Sequence, residues 1–317
     1  MSDLRADNKG MKKSENLIAM FVADLHLSLT QPACRADKDW MTVQRHYLEQ
    51  LAVIADDVPI LCAGDIFDKW NPPPELITFA LKYLPSGMIC VPGQHDLPNH
   101  RTEDVHRSGY GVLVEAQKIR DASRIEIQVG DTFVVYGFGW ERKIEPIKKQ
   151  YANPKATFPL NIALIHRYCW TQDAMYPGAP NEGHVSAFAK ALAGYDIAVF
   201  GDNHKHFKKS LKTGTVIYNC GGFIRRKSDE RNYKPCVGLL YEDGRVESLH
   251  LDTNDRFHEN VKDDATALDI GDFVKGLKCL GEQGLNFEES VKQYLAANAD
   301  IEPGVKAKVL EALKGTK

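Results

Sequence analysis

Pro59-Ile60-Leu61-Cys62-Ala63-Gly64-Asp65-Ile66-Phe67-Asp68 is the stretch on which the reading of the chain turns. A short apolar run, Pro59 to Ala63, stops at a glycine and passes into a loop that carries two aspartates, which is the pattern of a buried strand delivering polar groups from its carboxyl end. The same pattern stands upstream, where Leu17 to Val22 runs into Ala23-Asp24-Leu25-His26. Between the two, Val43, Tyr47, Leu51 and Ile54 recur near helical spacing and predict a helix over Trp40 to Ala55. Downstream, Pro72-Pro73-Pro74 marks a turn, Glu75 to Leu84 reads as a second helix, and Met88 to Val91 is a third strand ending in Pro92-Gly93-Gln94-His95-Asp96. A βαβαβ series implies an α/β fold with a parallel sheet, and such sheets place their sites at the strand carboxyl ends.

Past Arg120 the texture changes to strands with few long helices: Ile125–Val129, Thr132–Gly137, Ile162–His166, Ile197–Phe200, Val216–Asn219, Val237–Tyr241 and Val246–His250. These suggest a second sheet. The chain turns polar from Asp252 to Asn260, and apolar positions at Ile270, Phe273, Leu277, Leu280, Phe287, Val291, Tyr294 and Leu295 then predict amphipathic helices, with a last one over Val305–Leu313.

The bulk properties narrow the class. With 43% hydrophobic and 26% charged residues, the 317-residue chain is an ordinary globular protein able to build a large core. No apolar run reaches the roughly 20 residues of a membrane helix, and residues 1–16 lack the apolar stretch of a secretion signal, so a cytoplasmic protein with no membrane association is expected. The seven cysteines include no CxxC pair and read as free thiols in the core. A net charge of −3 provides no global basic field, although Lys205–Lys212 and Arg225–Lys227 offer local clusters that could follow a nucleic-acid backbone or simply face solvent.

Five strand ends carry Asp or His: Asp24 with His26, Asp65, His95, His166, and His204 with His206. A single Asp or His is usually structural, but imidazole nitrogens and carboxylate oxygens gathered in this number suit divalent metals, and they exceed what one tetrahedral site needs. Two ions are the natural reading.

In these blocks the chain resembles the calcineurin-like metallophosphoesterases, whose pattern runs DxH, GDxxD, GNHD, a lone His and GHxH. The likeness spans residues 17–250 with all five blocks in order. It implies a two-sheet αββα sandwich, with a flexible N-terminus over 1–16, a metallophosphoesterase domain over 17–252 and a helical C-terminal tail over 253–317. By the same likeness Asp24, His26, Asp65 and His206 hold one ion, while Asp65 bridges to a second held also by Gln94, His166 and His204. His95 is the acid for the leaving oxygen and Asp96 orients it. The metals implied are two divalent ions, manganese first, with iron, zinc and magnesium as alternatives. Two departures stand out: Gln94 replaces the usual Asn, and Asn203 stands where the paired histidines usually follow a glycine.

Motif order, size and the helical tail are similar to SbcD-type DNA repair nucleases, in which such a tail docks on the coiled coil of an ATPase of the SbcC type. The run Gly93 to Pro98 is similar to phage-encoded members. The function expected is therefore a DNA phosphodiesterase, with a small-molecule phosphodiesterase or phosphomonoesterase as the alternative and a non-catalytic scaffold behind both. A homodimer is compatible with the sequence.

Overall fold

The structure is a computed structural model that describes residues 16–147, 159–176, 178–258 and 295. The chain divides into two compact units, Met1–Asn260 and Val261–Lys317, and every element named below belongs to the first. The N-terminal segment and the tail helices expected from the sequence lie outside the described residues, apart from helical Leu295, which is buried.

Strands β1 (Leu17–Val22), β2 (Ile60–Cys62), β3 (Met88–Cys90) and β4 (Ile119–Asp121) alternate with helices α1 (Trp40–Ala55), α2 (Pro74–Tyr83) and α3 (Gly109–Glu115). They are followed by β5 (Ile127–Val129), β6 (Phe133–Phe138), β7 (Leu160–His166), β8 (Ile197–Gly201), β9 (Phe207–Ser210), β10 (Val216–Asn219), β11 (Cys236–Tyr241) and β12 (Val246–His250). The helices begin where local chemistry permits: Asp39 caps α1 by accepting from Met41 N and Thr42 N, and the prolines at 73 and 74 open α2, where a missing N–H costs nothing.

Two six-stranded sheets result, ordered β12-β11-β1-β2-β3-β4 and β5-β6-β7-β8-β10-β9. β1 through β4 pair in parallel, as do β6, β7, β8 and β10. The sequence places all the late strands in the second sheet, and here the structure differs: β11 returns to lie antiparallel against β1, and β12 extends that sheet. Period-two alternation identifies a strand but does not say which edge it will join.

The faces between the sheets are filled by Ala19, Phe21, Leu61, Ile89, Phe133, Ile162, Leu164, Val199 and Tyr218, all buried. Burying each of the larger of these side chains stabilises the fold by about 1.5–3 kcal/mol relative to exposure. Helices α1, α2 and α3 cover the outer face of the first sheet through Tyr47, Leu51, Leu76, Ala80 and Leu113. On the outer face of the second sheet the cover includes Val185, Phe188, Leu192 and Tyr195, and among the described residues it is built of short 3₁₀ turns instead of long helices. The six described cysteines are all buried and free, as expected.

Residues 253–258 are packed against the rest of this unit. The Asp255 carboxylate accepts from Arg35 Nη1 at 2.7 Å and Arg225 Nε at 2.9 Å, and the Phe257 ring lies beside both guanidinium groups. Arg35 is wholly buried, so its charge depends on Asp255 and on Asp37, 2.7 Å away. Removing one partner of a buried pair leaves the other charge without compensation. Asp255→Ala is therefore expected to lower stability by about 3–5 kcal/mol, read as a shift in the urea midpoint with an unchanged slope.

Candidate metal centre

The carboxyl ends of β1, β2, β3, β7 and β8 meet along one rim of the sandwich. Three successive backbone bonds zip the loops after β1 and β2 together: Asp24 N to Gly64 O, His26 N to Asp65 O and Leu27 N to Ile66 O. Asp24, His26, Asp65 and Asp202 all have positive φ, at 54°, 44°, 54° and 81°. Non-glycine residues rarely adopt that conformation, and strain of this kind collects at functional sites. The approach of the loops also demands glycine: a Cβ on Gly93 would lie 2.0 Å from Asp65 Oδ1, and one on Gly64, at φ 97°, would lie 2.3 Å from His166 Nδ1.

Asp65 sits at the middle. Its Oδ1 accepts from His95 N at 3.0 Å, while Oδ2 lies 3.6 Å from His26 Nε2 and 3.4 Å from His166 Nε2. Oδ2 is buried and has no hydrogen-bond partner among the described residues. A buried carboxylate oxygen left in this way is costly unless a cation completes it. Burial raises the Asp65 carboxyl, but His166, His26 and His95 outweigh that effect and hold it below the usual carboxylate range.

On one side of Asp65, His26 Nε2 and His204 Nε2 face each other at 3.2 Å, and Asp24 completes a group whose ligand atoms all lie within 4.8 Å. Burial lowers the His26 imidazole well below its ordinary value, leaving it neutral and able to coordinate. On the other side, His166 Nδ1 donates to Ala63 O at 2.6 Å, which turns Nε2 inward toward Asp65 and toward Gln94 Oε1, also at 2.6 Å. Burial opposes the charge on His166, yet Asp65, Asp24 and Asp202 outweigh it and raise the imidazole well above its ordinary value, the mark of a site that favours positive charge. The donor set fits divalent cations on both sides of Asp65. Asp24, His26 and His204 could hold one with it, and His166 and Gln94 a second.

His206, expected among the ligands, is not there. Its Nδ1 donates to Asn219 O at 2.8 Å, its Nε2 meets Ser248 Oγ at 2.9 Å, and its ring packs on Tyr218. His204 stands with His26 and Asp24 in its stead, and Asp202, which the sequence reading passed over, enters the cleft with Gln94 Nε2 donating to its Oδ1 at 2.8 Å. The loop after β8 counts from Gly201, so the position that looks like a glycine-to-asparagine change at 203 is a frame slipped by two. Asn203 is buried instead, donating to Cys169 O and Ala174 O.

Asp96 also differs from expectation. It is fully buried and accepts from Gly93 N, Ile66 N and Phe67 N, so it braces the backbone of two site loops. The partner of the His95 imidazole is the Asp68 carbonyl, 2.8 Å from Nδ1. Glu230 was not legible either. Its Oε2 accepts from Arg226 N and Lys227 N, and its Oε1 lies 3.6 Å from His204 Nδ1, where a carboxylate can orient the ring.

Residues 19–206 match the model of the calcineurin-like phosphoesterase family. The chain belongs to that family and is a metal-dependent phosphoric ester hydrolase. No curated protein matches the sequence. Among solved structures the chain is similar to TT1561 of Thermus thermophilus, at 12% identity and TM-score 0.44 over 74% of this chain and 99% of that one. It is also similar to YfkN, a calcineurin-like phosphoesterase from Bacillus subtilis, at 13% identity and TM-score 0.41 over 77% and 91%. A third is a 5′-nucleotidase precursor from Thermus thermophilus, at 13% identity and TM-score 0.42 over 75% of this chain and 54% of that one.

Two outcomes are expected from this geometry. Glu230→Ala removes the support of His204 and weakens Mn²⁺ binding by about 10–100-fold, measured by calorimetric titration of the metal-free protein. Burial pushes the Asp24 carboxyl up to about 7 in the metal-free site, with Asp65 and Asp202 adding to the rise against His204 and His166. Below that pH a cation must displace a proton, so Mn²⁺ affinity falls with decreasing pH, by up to about tenfold per unit for the one proton. Titrations at pH 6, 7 and 8 would show it.

Proposed function

We propose that this phosphoesterase cleaves phosphodiesters in a nucleic-acid strand, with DNA as substrate and manganese as the working metal. The observation that carries the reading is the shape around Asp65. An open cleft of about 940 Å³ is lined by His26, Asp65, Gln94, His95, Asp202 and His204, and a second hollow of about 600 Å³ shares Pro32, Asp68 and Arg226 with it. Two abutting open clefts leave room for a chain on either side of the reacting phosphate, which a monoester does not need.

The walls support the same reading. Lys205, Arg226 and Lys227 line the first cleft and Lys69 the second, giving cations for neighbouring phosphates although the protein is acidic overall. Tyr168, Tyr176 and Tyr233 line the first cleft too, and rings of this kind stack on unpaired bases whatever their sequence. Arg226 is braced by an ion pair with Asp68 Oδ1 at 2.8 Å.

Bound divalent ions in such a site polarise the phosphoryl oxygens and lower the pKa of an attacking water. His95 supplies the acid. Its Nδ1–H donates to the Asp68 carbonyl, which fixes the ring and leaves Nε2 to protonate the departing oxygen. Asp96 holds the backbone that presents His95 by accepting from Gly93 N.

The remaining parts of the proposal rest on the sequence: the helical tail past residue 260 as a docking element for a coiled-coil ATPase of the SbcC type, assembly as a homodimer, and a cytoplasmic setting. Among the described residues no helix is long and apolar enough to cross a membrane.

A small-molecule phosphoesterase is the second reading, favoured by Asp229 and Glu230, which place negative charge on the wall that a polyanion would meet. The two are separated by assaying Mn²⁺-dependent hydrolysis of bis-p-nitrophenyl phosphate, p-nitrophenyl phosphate and linear single- and double-stranded DNA. Cleavage of DNA and the diester is expected, with His95→Ala lowering kcat by about 10²–10⁴-fold at little change in metal content. Turnover of the small esters alone would establish the second reading.

A further inference from the structure

We propose that Asp202 is a ligand of the second metal ion, so that this site presents Asp65, Asp202, Gln94 and His166, three oxygen donors and one nitrogen, and prefers Mn²⁺ or Mg²⁺ to Zn²⁺. The inference rests on the reading of the cleft as a two-metal phosphoesterase centre and names a ligand which that reading leaves out.

Three independent features place Asp202 in the site. First, β8 ends at Gly201, where a Cβ would lie 2.3 Å from Ala63 O and 3.0 Å from His166 Nδ1, so the chain leaves the strand directly against the other ligands. Asp202 is the next residue and shares the left-handed φ of Asp24 and Asp65, the strand-end carboxylates of β1 and β2. Second, Asp202 N donates to both oxygens of Asp24, at 3.0 and 3.1 Å, which fixes the Asp202 backbone to the neighbouring site. Third, the Gln94 amide links Asp202 to His166, with Nε2 donating to Asp202 Oδ1 at 2.8 Å and Oε1 facing His166 Nε2 at 2.6 Å. The imidazole nitrogen and the amide oxygen thus face a common point beside the Asp65 and Asp202 carboxylates, where a hydrogen or a cation can bridge them.

The extra methylene of Gln94 acquires a purpose here, since the amide must reach from the end of β3 across to both His166 and Asp202. The donor chemistry then differs between the two ions. The first has His26 and His204 with two carboxylates, a set that zinc or iron accepts. The second has oxygen donors in the majority, and carboxylate and carbonyl oxygens suit Mn²⁺ and Mg²⁺. His206 has both ring nitrogens engaged elsewhere, so His204 takes its place beside His26 and Asp24 and the second position falls to Asp202.

The test is titration of the metal-free full-length chain with Mn²⁺, followed by calorimetry and by electron paramagnetic resonance, which distinguishes an exchange-coupled manganese pair from a lone ion. The wild type is expected to bind two ions and show the coupled signal, and His206→Ala to do the same. Asp202→Asn, close to isosteric, and Asp202→Ala are expected to bind the second ion about 10–100-fold more weakly and to show the lone-ion spectrum. Asp202→His is expected to shift the second site toward Zn²⁺. Retention of two tightly bound, coupled ions in both Asp202→Asn and Asp202→Ala would overturn the assignment, as would their loss in His206→Ala. Binding of two ions through Asp202 without hydrolysis of bis-p-nitrophenyl phosphate would count against the proposed function and leave the ligand assignment standing.

Discussion

The fold is organised around a carboxylate with nowhere to go. Asp65 is buried at the end of β2 with one oxygen satisfied by His95 N and the other between two imidazoles, without a hydrogen bond of its own. Such an arrangement is unfavourable in isolation, because burying a carboxylate costs several kcal/mol unless it is compensated. The surroundings are built to supply the compensation. Ala63 O turns His166 inward, Asp96 pins the loops on either side, and Gly64 and Gly93 allow the strand ends to close to contact distance. The two-sheet sandwich serves this purpose directly, since parallel strands from both sheets end at the same rim and each delivers one or two donors.

Much of this was legible in the sequence, and the reason is physical. Helices α1 and α2 and strands β1, β2, β3, β8, β10 and β12 fall within a residue or two of the stretches that the apolar pattern marks out, because apolar runs and helical periods bounded by turn residues leave few alternatives. What was missed is short or non-local. β4 and β9 each bury one residue and carry charged or polar side chains on the rest, and α3 opens Gly-Tyr-Gly, so none of them shows a sustained apolar run. The return of β11 to pair with β1 is a matter of tertiary register, and nothing local in Cys236–Tyr241 encodes it.

The site was legible by residue type and misread by position. Asp24, His26, Asp65, His95, His166 and His204 line up at strand ends as the motifs imply, and three groups of them already lie close enough to share ions. At the last block His204 and His206, two apart, look like a pair of ligands, but the strand itself ends at Gly201. Counting from the strand end puts Asp202 and His204 on the cleft and sends His206 back toward Tyr218 and Ser248. The signal available was the apolar run Ile197–Phe200, which fixes where the rim lies whatever residues follow. Asp96 was misassigned for a related reason: its place beside His95 in the sequence suggested a contact that the 3₁₀ turn Gln94–Asp96 removes by pointing it at the backbone behind.

The charge balance of the cleft ties metal to substrate. Asp24, Asp65 and Asp202 cluster where a phosphate must come to rest, and Asp229 and Glu230 stand on the same wall. Without cations that surface repels a polyanion, and Lys205, Arg226 and Lys227 must first offset their own neighbours, as Arg226 does with Asp68. Two dications would outweigh the three carboxylates and reverse the sign at the centre, after which the lysines and arginine would add to the attraction in place of cancelling a deficit. Bound dications would thus couple the affinity for a phosphate ester to metal occupancy through electrostatics. Gln94 fits the same logic: a neutral amide between His166 and Asp202 joins the two without adding to the negative charge of the site.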